Sequence, residues 1–480
     1  MNKVLVVLCA AALIAACSSD KKQPATAPAP TTSSSSASSS PSSSSSTPST
    51  SSAQGGASAG WLTWGGDPTR SGVTNDGPSA NGLHRVWTSE KLDGDAYGQP
   101  LVVGDTVIVA TTGNSVYAFD ATTGKSKWQQ LQLGQPVNGS TLPCGNVNPV
   151  GITSTPVADP ANNRLYVVGM MQQPNRHELV ALDLSTGAVQ FRVRVDAAGA
   201  DPNVHNQRGA LAFANGRVYI PYGGRFGDCG NYKGRIVSLA ADGSGPPVEY
   251  AVRANREGGF WGPTGPVVAP DGSLYVTSGN SDSRRDFDDG NAVIHLSPTL
   301  QAIDEFAPTN WAQLNAGDVD LGTVMPALLD GNRIFQTGKS GVGYVLNATD
   351  LGGVGGELHQ EEVCDRVFGG LAHQGMTVIV PCADRLRSLT VGDTTLTENW
   401  SVDFSSPGPP IIANGLVWLL DVDSGKLHAL DSKTGQDLFN SDVGDVTRFS
   451  APSAGNNTVF VEGGKTVQAF TSAASQTPAP

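Results

Sequence analysis

The densest cluster of side chains that could bind a ligand is the segment from Arg284 to Asn291, which reads Arg-Arg-Asp-Phe-Asp-Asp-Gly-Asn. Its three carboxylates, Asp286, Asp288 and Asp289, are oxygen ligands of the kind that calcium prefers. The segment lacks the ligand spacing of the EF-hand calcium loop, and two arginines precede the carboxylates. The sequence therefore favours a solvated turn with local ion pairs, and a calcium site is the alternative.

Other common chemical motifs are missing from the sequence. The seven histidines are scattered, and neither a nucleophile elbow nor a phosphate-binding loop occurs. The chain carries 30 basic and 43 acidic residues, and this acidic balance makes nucleic acid a poor partner. The 58 glycines and 31 prolines are typical of many short strands joined by tight turns.

A repeated unit organises most of the chain. The segment Val-Tyr-Ala-Phe-Asp-Ala-Thr-Thr-Gly-Lys from Val116 returns in similar form from Leu179 and Leu427, and five weaker copies bring the total to eight. Each unit contains strand-like runs separated by Gly and Asp turns, and the units recur every 40 to 60 residues or so. Strand patterning at this period predicts a β-propeller over residues 61–472.

The two ends of the repeat region complement each other. The last unit supplies only three strands, whereas His84–Thr88 near the start reads as a fourth strand without a unit. Pairing these ends would remove an open sheet edge. We therefore predict an all-β, eight-bladed propeller in which an N-terminal strand closes the last blade.

Three further side chains precede or enter the innermost strands of this predicted propeller: Arg208, Trp261 and Arg366. Innermost strands line the central funnel, so these side chains could contact a ligand at its mouth. Structural or solvent-facing roles are the alternative. Together with the three carboxylates of the acidic segment they form the candidate binding face.

The N-terminus predicts export. A basic start is followed by an apolar run too short to span a bilayer, and this run ends in Ile14-Ala15-Ala16-Cys17. Small residues before a cysteine resemble the bacterial lipobox, which implies cleavage after residue 16 and diacylation of Cys17. We expect residues 1–16 to be a lipoprotein signal peptide and the protein to lie at the extracytoplasmic face of a bacterial membrane. A plain signal peptide with a chance cysteine is the alternative.

Residues 17–60 are predicted to be a tether. From Thr31 to Ser52 every residue is Ser, Thr, Pro or Ala, and such a segment cannot bury enough apolar surface to offset its ordering entropy. We expect this tether and the tail, residues 473–480, to be disordered. The expected partners are the membrane, through the anchor, and an envelope protein or a small extracytoplasmic ligand.

Four of the six cysteines lie outside the signal peptide and the anchor position, Cys17. An even number of cysteines in an exported chain predicts disulfides, and four cysteines allow three connectivities. Cys364 and Cys382 are equidistant from His373 at a turn between two strand runs, so we expect them to be bridged across one hairpin. Cys144 lies between units one and two, and Cys229 lies in a loop of unit three. Both loop types emerge on the same face of a propeller, so that bridge is reachable. Zinc binding is the competing interpretation, although no Cys-x-x-Cys spacing occurs.

The segment Trp64-Gly65-Gly66-Asp67-Pro68 and the repeats ending Asp-x-x-Thr-Gly resemble the pyrroloquinoline-quinone (PQQ) repeat, quinoprotein-like propeller family. The resemblance covers almost all of residues 61–472. The family includes quinoprotein alcohol and sugar dehydrogenases as well as non-catalytic lipoproteins such as BamB. Its dehydrogenases commonly carry two adjacent cysteines over the quinone and hold calcium. No Cys-Cys pair occurs here, and no catalytic residue can be carried over.

Intact repeats without site motifs favour a non-catalytic binding or scaffold lipoprotein of the cell envelope, with no cofactor. The first alternative is a PQQ-dependent dehydrogenase of alcohols or sugars, which would hold PQQ and calcium. The second is an extracytoplasmic sensor of a small molecule or glycan. Longer loops in the first half of the repeats favour a one-sided binding surface.

Overall fold

The computed structural model describes residues 60–473, which form eight four-stranded antiparallel blades arranged in a ring. The prediction of an eight-bladed β-propeller is therefore confirmed. Cys17, the tether up to residue 59 and residues 474–480 of the tail lie outside the described residues. Within residues 60–473, no helix is both long enough and apolar enough to cross a membrane.

Each blade is built from four strands, which follow one another in order from the axis of the ring to its outer edge. From inner to outer, the strands of the eight blades are, for blade 1, Leu101–Val103, Thr106–Ala110, Val116–Asp120 and Ser126–Gln130; for blade 2, Val157–Asp159, Arg164–Met171, Arg176–Asp183 and Val189–Arg194; for blade 3, Ala212–Ala214, Arg217–Gly224, Arg235–Ala240 and Val248–Ala251; for blade 4, Val267–Val268, Leu274–Thr277, Val293–Leu296 and Ala302–Ala307; for blade 5, Ala327–Leu329, Arg333–Gln336, Val342–Asn347 and His359–Glu362; for blade 6, Ala372–Gln374, Thr377–Pro381, Arg385–Val391 and Leu396–Asp403; for blade 7, Ile411–Ala413, Leu416–Asp421, Lys426–Asp431 and Asp437–Asp442; and for blade 8, Ser453–Gly455, Thr458–Gly463, Thr466–Thr471 and His84–Thr88.

A few short elements supplement the blades. The additional strands are Val73–Thr74, parallel to the inner strand of blade 7, Gly353–Val354, parallel to the outer strand of blade 4, and His205–Asn206, antiparallel to the second strand of blade 3. Between residues 60 and 473 the helical segments are one α-helix, Trp311–Ala316, and three 3-10 turns, Gly139–Thr141, Pro160–Asn162 and Asp330–Asn332.

The N-terminal strand closes the ring as predicted. His84–Thr88 pairs antiparallel with Thr466–Thr471, so the outer strand of blade 8 comes from the start of the described chain. The closure leaves no blade with a missing strand, and it links the two ends of the repeat region through a hydrogen-bonded ladder.

The repeated Asp-x-x-Thr-Gly turn also joins neighbouring blades. Asp120 Oδ1 accepts hydrogen bonds from the backbone and hydroxyl of Thr123, each at 2.8 Å, and Gly124 adopts φ of 68°. A Cβ at Gly124 would lie 2.6 Å from the ring of Trp87, whose Nε1 donates to the Ala121 carbonyl at 3.0 Å. Each glycine therefore seats a tryptophan from the preceding blade. The same contact joins Trp128 to Gly187 and Trp400 to Gly435.

One face of the ring is covered by residues 60–77, which we call the strap. Trp64 of the strap is buried and packs against Ala210, Gly370 and Ala451, which precede the inner strands of blades 3, 6 and 8. Side chains from blades so far apart in the ring meet only near its axis, so Trp64 lies on the axis of the ring. Backbone hydrogen bonds tie the strap to the inner strands of five blades, through Val102, Ala158, Val268, His373 and Ile412.

Glu462, near the end of the second strand of blade 8, is a carboxyl group buried by the fold. Its Oε1 has no hydrogen-bond partner among residues 60–473, and burial raises the pKa of Glu462 well above its ordinary value. The folded protein therefore keeps this proton at pH values where the unfolded chain, with a glutamate pKa of about 4.3, has lost it. Because the unfolded state then binds fewer protons, stability falls as pH rises above about 4.3.

Replacing Glu462 by glutamine should remove this pH-dependent loss of stability. We expect the Tm of the variant to exceed that of the wild type by about 2 °C or more near pH 8, and the two values to converge near pH 4. Thermal unfolding followed by circular dichroism across this range checks the prediction, with the exposed Glu90→Gln as control. Parallel pH profiles for the wild type and Glu462→Gln would contradict it.

Candidate functional site

The face opposite the strap carries the connections between blades and the loops between second and third strands. Four residues on these segments converge, and we call them the funnel cluster. Trp261 lies on the connection from blade 3 to blade 4, and Asn280 lies in the second-to-third-strand loop of blade 4. Asp320 lies on the connection from blade 4 to blade 5, and Lys339 lies in the corresponding loop of blade 5.

A buried ion pair forms the centre of the funnel cluster. Asp320 Oδ2 lies 2.5 Å from Lys339 Nζ, and Asp320 Oδ1 accepts the backbone N–H of Asn280 at 2.7 Å. Burial raises the pKa of Asp320, and Lys339 opposes that rise. Burial lowers the pKa of Lys339, but Asp320 and the exposed Asp318 outweigh this effect, so the pKa of Lys339 is raised. Lys339 therefore keeps its proton and its positive charge, whereas the carboxylate of Asp320 can accept a proton.

Trp261 lies against this ion pair. Its ring centroid is 5.9 Å from Lys339 Nζ. A Cβ at Gly279 would clash with Asp320 Oδ1 and would lie 3.1 Å from Trp261 Nε1, so only glycine at this position leaves room for both groups. The indole, the carboxylate and the ammonium group consequently share one small site.

Arg208 is a buried cation beside the funnel cluster. Its Nη1 donates to the Thr153 carbonyl at 3.1 Å, whereas its Nη2 is buried without a hydrogen-bond partner in the described part of the chain. Burial lowers the pKa of Arg208 to about 10. Its guanidinium carbon lies 5.5 Å from the ring centroid of Tyr97 and 5.9 Å from that of Phe449, and the Phe449 and Trp261 centroids are 6.4 Å apart. An unpaired buried guanidinium N–H next to aromatic rings is suited to binding an anion.

The carboxylates of the acidic segment from Arg284 to Asn291 were a candidate calcium site in the sequence, and two of them make hydrogen bonds or ion pairs with nearby side chains. Asp286 is exposed, Asp288 accepts from Ser281 Oγ at 2.7 Å, and the buried Asp289 accepts from Arg253 Nε at 2.6 Å. Residues 60–473 contain no group of three His, Cys, Asp or Glu side chains placed to hold a metal ion. The contacts of this loop are those of a turn held by hydrogen bonds and ion pairs.

Of the three side chains predicted at the funnel mouth, the structure brings Arg208 and Trp261 together, whereas Arg366 is exposed on the connection from blade 5 to blade 6. Sequence reasoning missed the remaining members of the site. They lie on three different loops, so no local motif marks them. The available signal was that Asn280 and Lys339 are polar residues at the equivalent loop position of two consecutive repeats. The missed residues are Asn280, Asp320 and Lys339.

The four cysteines form two disulfides in the structure. Cys144 and Cys229 are bonded with a Cα–Cα distance of 6.0 Å, and Cys364 and Cys382 with a distance of 5.5 Å. The first bridge ties the connection between blades 1 and 2 to a loop of blade 3 on the funnel face. The second ties the connection between blades 5 and 6 to the end of the second strand of blade 6.

Parts of the chain are similar to known proteins. Residues 84–303 match a family model described as outer membrane protein assembly factor BamB. A polyvinylalcohol dehydrogenase of Sphingopyxis sp. (strain 113P3) is 27% identical over 269 residues, which are 51% of this chain and 36% of that protein. A polyvinylalcohol dehydrogenase of Pseudomonas sp. is 24% identical over 49% of this chain and 38% of its own length. The chain thus spans less than two fifths of these relatives.

Solved structures share the fold at low sequence identity. The quinohemoprotein alcohol dehydrogenase of Comamonas testosteroni superposes with a TM-score of 0.70 and 16% identity, covering 89% of this chain and 83% of that one.

These findings correct two predictions made from the sequence. The expectation of a non-catalytic scaffold is wrong, because the matched relatives are dehydrogenases. The expectation of no cofactor is wrong for the same reason. Both predictions relied on the absence of a local motif, the adjacent cysteine pair. The funnel cluster is assembled from separate loops, so a local motif does not mark it.

The family model describes the first half of the repeats, and the ring of blades continues the same unit through the second half. Together, the repeated turns, the eight-bladed ring and the match over residues 84–303 identify the chain as a PQQ-repeat β-propeller.

Proposed function

We propose that the protein is a PQQ-dependent dehydrogenase that oxidises alcohols at the funnel cluster. The observation that carries this proposal is the buried Asp320–Lys339 pair, which lies against Trp261. Phe449 links Trp261 to Arg208, whose Nη2 has no hydrogen-bond partner among residues 60–473. The dehydrogenase relatives, which match over half of the chain, support the same reaction class.

The residues present fit PQQ, which is a planar aromatic quinone with three carboxylates. The free Nη2 of Arg208 would bind a carboxylate, and the Lys339 ammonium group would bind a further oxygen of the cofactor. The face of Trp261 is a flat surface on which a planar ring can stack. The same region does not fit a metal site made by three acidic, His or Cys ligands, since residues 60–473 contain no such group.

When bound, PQQ would supply the two-electron acceptor that alcohol oxidation requires. Asp320 would take the proton of the substrate hydroxyl, since its carboxylate is fixed at hydrogen-bond distance from two donors and retains free lone pairs. Lys339 would hold Asp320 in the carboxylate form before the reaction and would stay protonated throughout. The burial of Asp320 would exclude bulk water from this proton transfer.

Reconstitution tests the proposal directly. Purified protein incubated with PQQ, with and without calcium or a lanthanide, should retain the quinone on gel filtration and reduce an artificial dye when a secondary alcohol is added. Arg208→Leu should retain PQQ at least about tenfold less tightly, because it removes a charged donor from a buried site. Wild-type protein that neither retains PQQ nor reduces dye under any of these conditions would refute the proposed function.

We further propose that the enzyme works outside the cytoplasm, attached to the membrane through an acylated Cys17. This proposal is supported by the signal-like N-terminus and by the two disulfides, which persist in oxidising compartments.

A further inference from the structure

Two arginines, Arg208 and Arg225, line one small cavity on the funnel face. Arg208 lies on the connection that leads into blade 3, and Arg225 directly follows the second strand of the same blade. Both side chains are deeply buried, since Arg208 is 9% exposed and Arg225 is 4% exposed. A buried cation is unfavourable unless an anion or hydrogen bonds compensate its charge, so these two groups need partners.

The hydrogen-bond partners of the two arginines are uncharged. Arg208 Nη1 donates to the Thr153 carbonyl at 3.1 Å. Arg225 donates to the carbonyls of Asn203, at 2.7 Å, and His205, at 3.2 Å. Arg208 Nη2 is buried and has no hydrogen-bond partner among residues 60–473. Burial lowers the pKa of both guanidinium groups to about 10, which is the direction expected of a cation whose charge is poorly compensated.

The carboxylates nearest to these arginines along the chain are engaged elsewhere. Asp201 Oδ1 accepts the backbone N–H of Asn203 at 2.9 Å and its side-chain amide at 2.8 Å. Asp228 Oδ1 accepts the hydroxyl of Tyr232. Asp201 attracts Arg225 through space, but burial outweighs this attraction, since the pKa of Arg225 is still lowered. These two carboxylates therefore leave the charge of the arginines without a contacting anion.

The cavity is small and its walls are fixed. Its volume is about 30 Å³, which is enough for one or two water-sized particles. The lining also carries the amide groups of Asn146 and Asn206, which can donate hydrogen bonds, and none of the lining residues is acidic. Cys144 belongs to the lining as well, and its bond to Cys229 ties the connection between blades 1 and 2 to the loop that follows Arg225. The cavity is therefore a preformed site that is rich in hydrogen-bond donors.

We propose that this cavity binds a single halide ion, such as chloride, between Arg208 and Arg225. The ion would accept hydrogen bonds from the two guanidinium groups, including the unpaired Nη2 of Arg208, and its charge would compensate the two buried cations. The inference does not depend on the proposed function, because Nη2 carries two N–H groups and one remains for a carboxylate of a cofactor.

Other occupants fit this cavity less well. A carboxylate or a phosphate contains several heavy atoms, each comparable in size with a water molecule, and exceeds a volume of about 30 Å³. Water fits, but it leaves the positive charge of Arg208 and Arg225 uncompensated. A monoatomic anion matches both the size of the cavity and the charge of its lining.

Thermal unfolding of the cofactor-free protein tests the inference. Chloride is raised to about 0.2 M while gluconate, which is too large for the cavity, is lowered to keep the ionic strength constant. We expect the Tm of the wild type to rise by about 2 °C and then to level off, because a ligand that binds only the folded state stabilises it. Arg208→Met should lose this rise, whereas the exposed control Arg285→Met should keep it.

Anomalous diffraction from wild-type crystals soaked in sodium bromide locates the ion directly, and we expect a bromide peak in contact with both Arg208 and Arg225. This measurement needs no variant, so it decides the question even where Arg208→Met fails to fold. A Tm that does not respond to chloride, a response that Arg208→Met retains, or a cavity without a bromide peak would each overturn the inference. The measurements involve no quinone, so their outcome is separate from that of the proposed function.

Discussion

The PQQ-loaded Asp320→Asn variant should turn over alcohols about a thousandfold more slowly than the wild type, because positioned general bases contribute factors of about 10²–10⁴. Asparagine preserves the size of the side chain and can still accept the Asn280 N–H, but it cannot take the hydroxyl proton. Burial raises the pKa of Asp320, so wild-type kcat should fall as pH drops through that pKa and the carboxylate becomes protonated. The residual activity of the variant should lack this acid limb.

Steady-state dye reduction between about pH 4 and pH 9 measures both effects, and PQQ retention is measured on the same samples. Asp318→Asn is the matched control, because Asp318 Oδ1 lies 2.9 Å from the same ammonium group while its side chain is 67% exposed. We expect the control to lose less than about threefold in kcat, since exposed ion pairs contribute little. If Asp320→Asn bound PQQ normally and kept more than about a tenth of the activity, the base would have to lie outside the funnel cluster.

Replacing Arg70 by alanine should destabilise the propeller by about 3–5 kcal/mol. Arg70 is buried in the strap, and burial lowers the pKa of its guanidinium to about 9. Its guanidinium donates to the carbonyls of Trp64 at 3.0 Å, Leu211 at 2.9 Å and Pro266 at 3.1 Å. Alanine would remove the Arg70 donor from all three buried carbonyls, of which only Leu211 keeps another donor, the Thr63 hydroxyl at 3.2 Å, and would weaken the contact of the strap with blades 3 and 4.

Urea-induced unfolding followed by tryptophan fluorescence measures this change, and hydrogen exchange shows whether the inner strands lose protection first. The exposed Arg285→Ala is the control, with an expected change within about 0.5 kcal/mol. A loss below about 1 kcal/mol for Arg70→Ala would mean that water replaces the guanidinium, and that the strap lies on the ring without stabilising it.

Arg70 and Asp320 share no hydrogen-bond partner among residues 60–473. Arg70 and Trp64 belong to the strap, whereas Asp320 lies on the face that carries the blade connections. Sites without shared contacts usually behave additively. Arg70→Ala should therefore lower stability with little change in PQQ affinity at temperatures where the protein is folded.

The architecture of the propeller could be predicted from local sequence patterns. Asp120, Thr123 and Gly124 form a turn whose hydrogen bonds and positive φ depend only on neighbouring residues, so every copy of the pattern predicts the same hairpin. Eight copies, with three strands in the last unit and a spare strand at His84–Thr88, were enough to predict both the blade number and the closure. Local interactions of this kind are readable because they span only a few residues.

The funnel cluster, in contrast, could not be predicted from local sequence patterns. Asp320, Asn280 and Lys339 lie on three loops of two blades, and nothing in their local sequences distinguishes them from other polar loop residues. They come together because the ring directs these loops towards the same axis, where burial raises the pKa of Asp320 and leaves Arg208 Nη2 without a hydrogen-bond partner among residues 60–473. Trp64 is a similar case, since its position on the axis exists only after blades 3, 6 and 8 surround it. Burial and charge pairing are properties of the closed ring, and a linear pattern does not contain them.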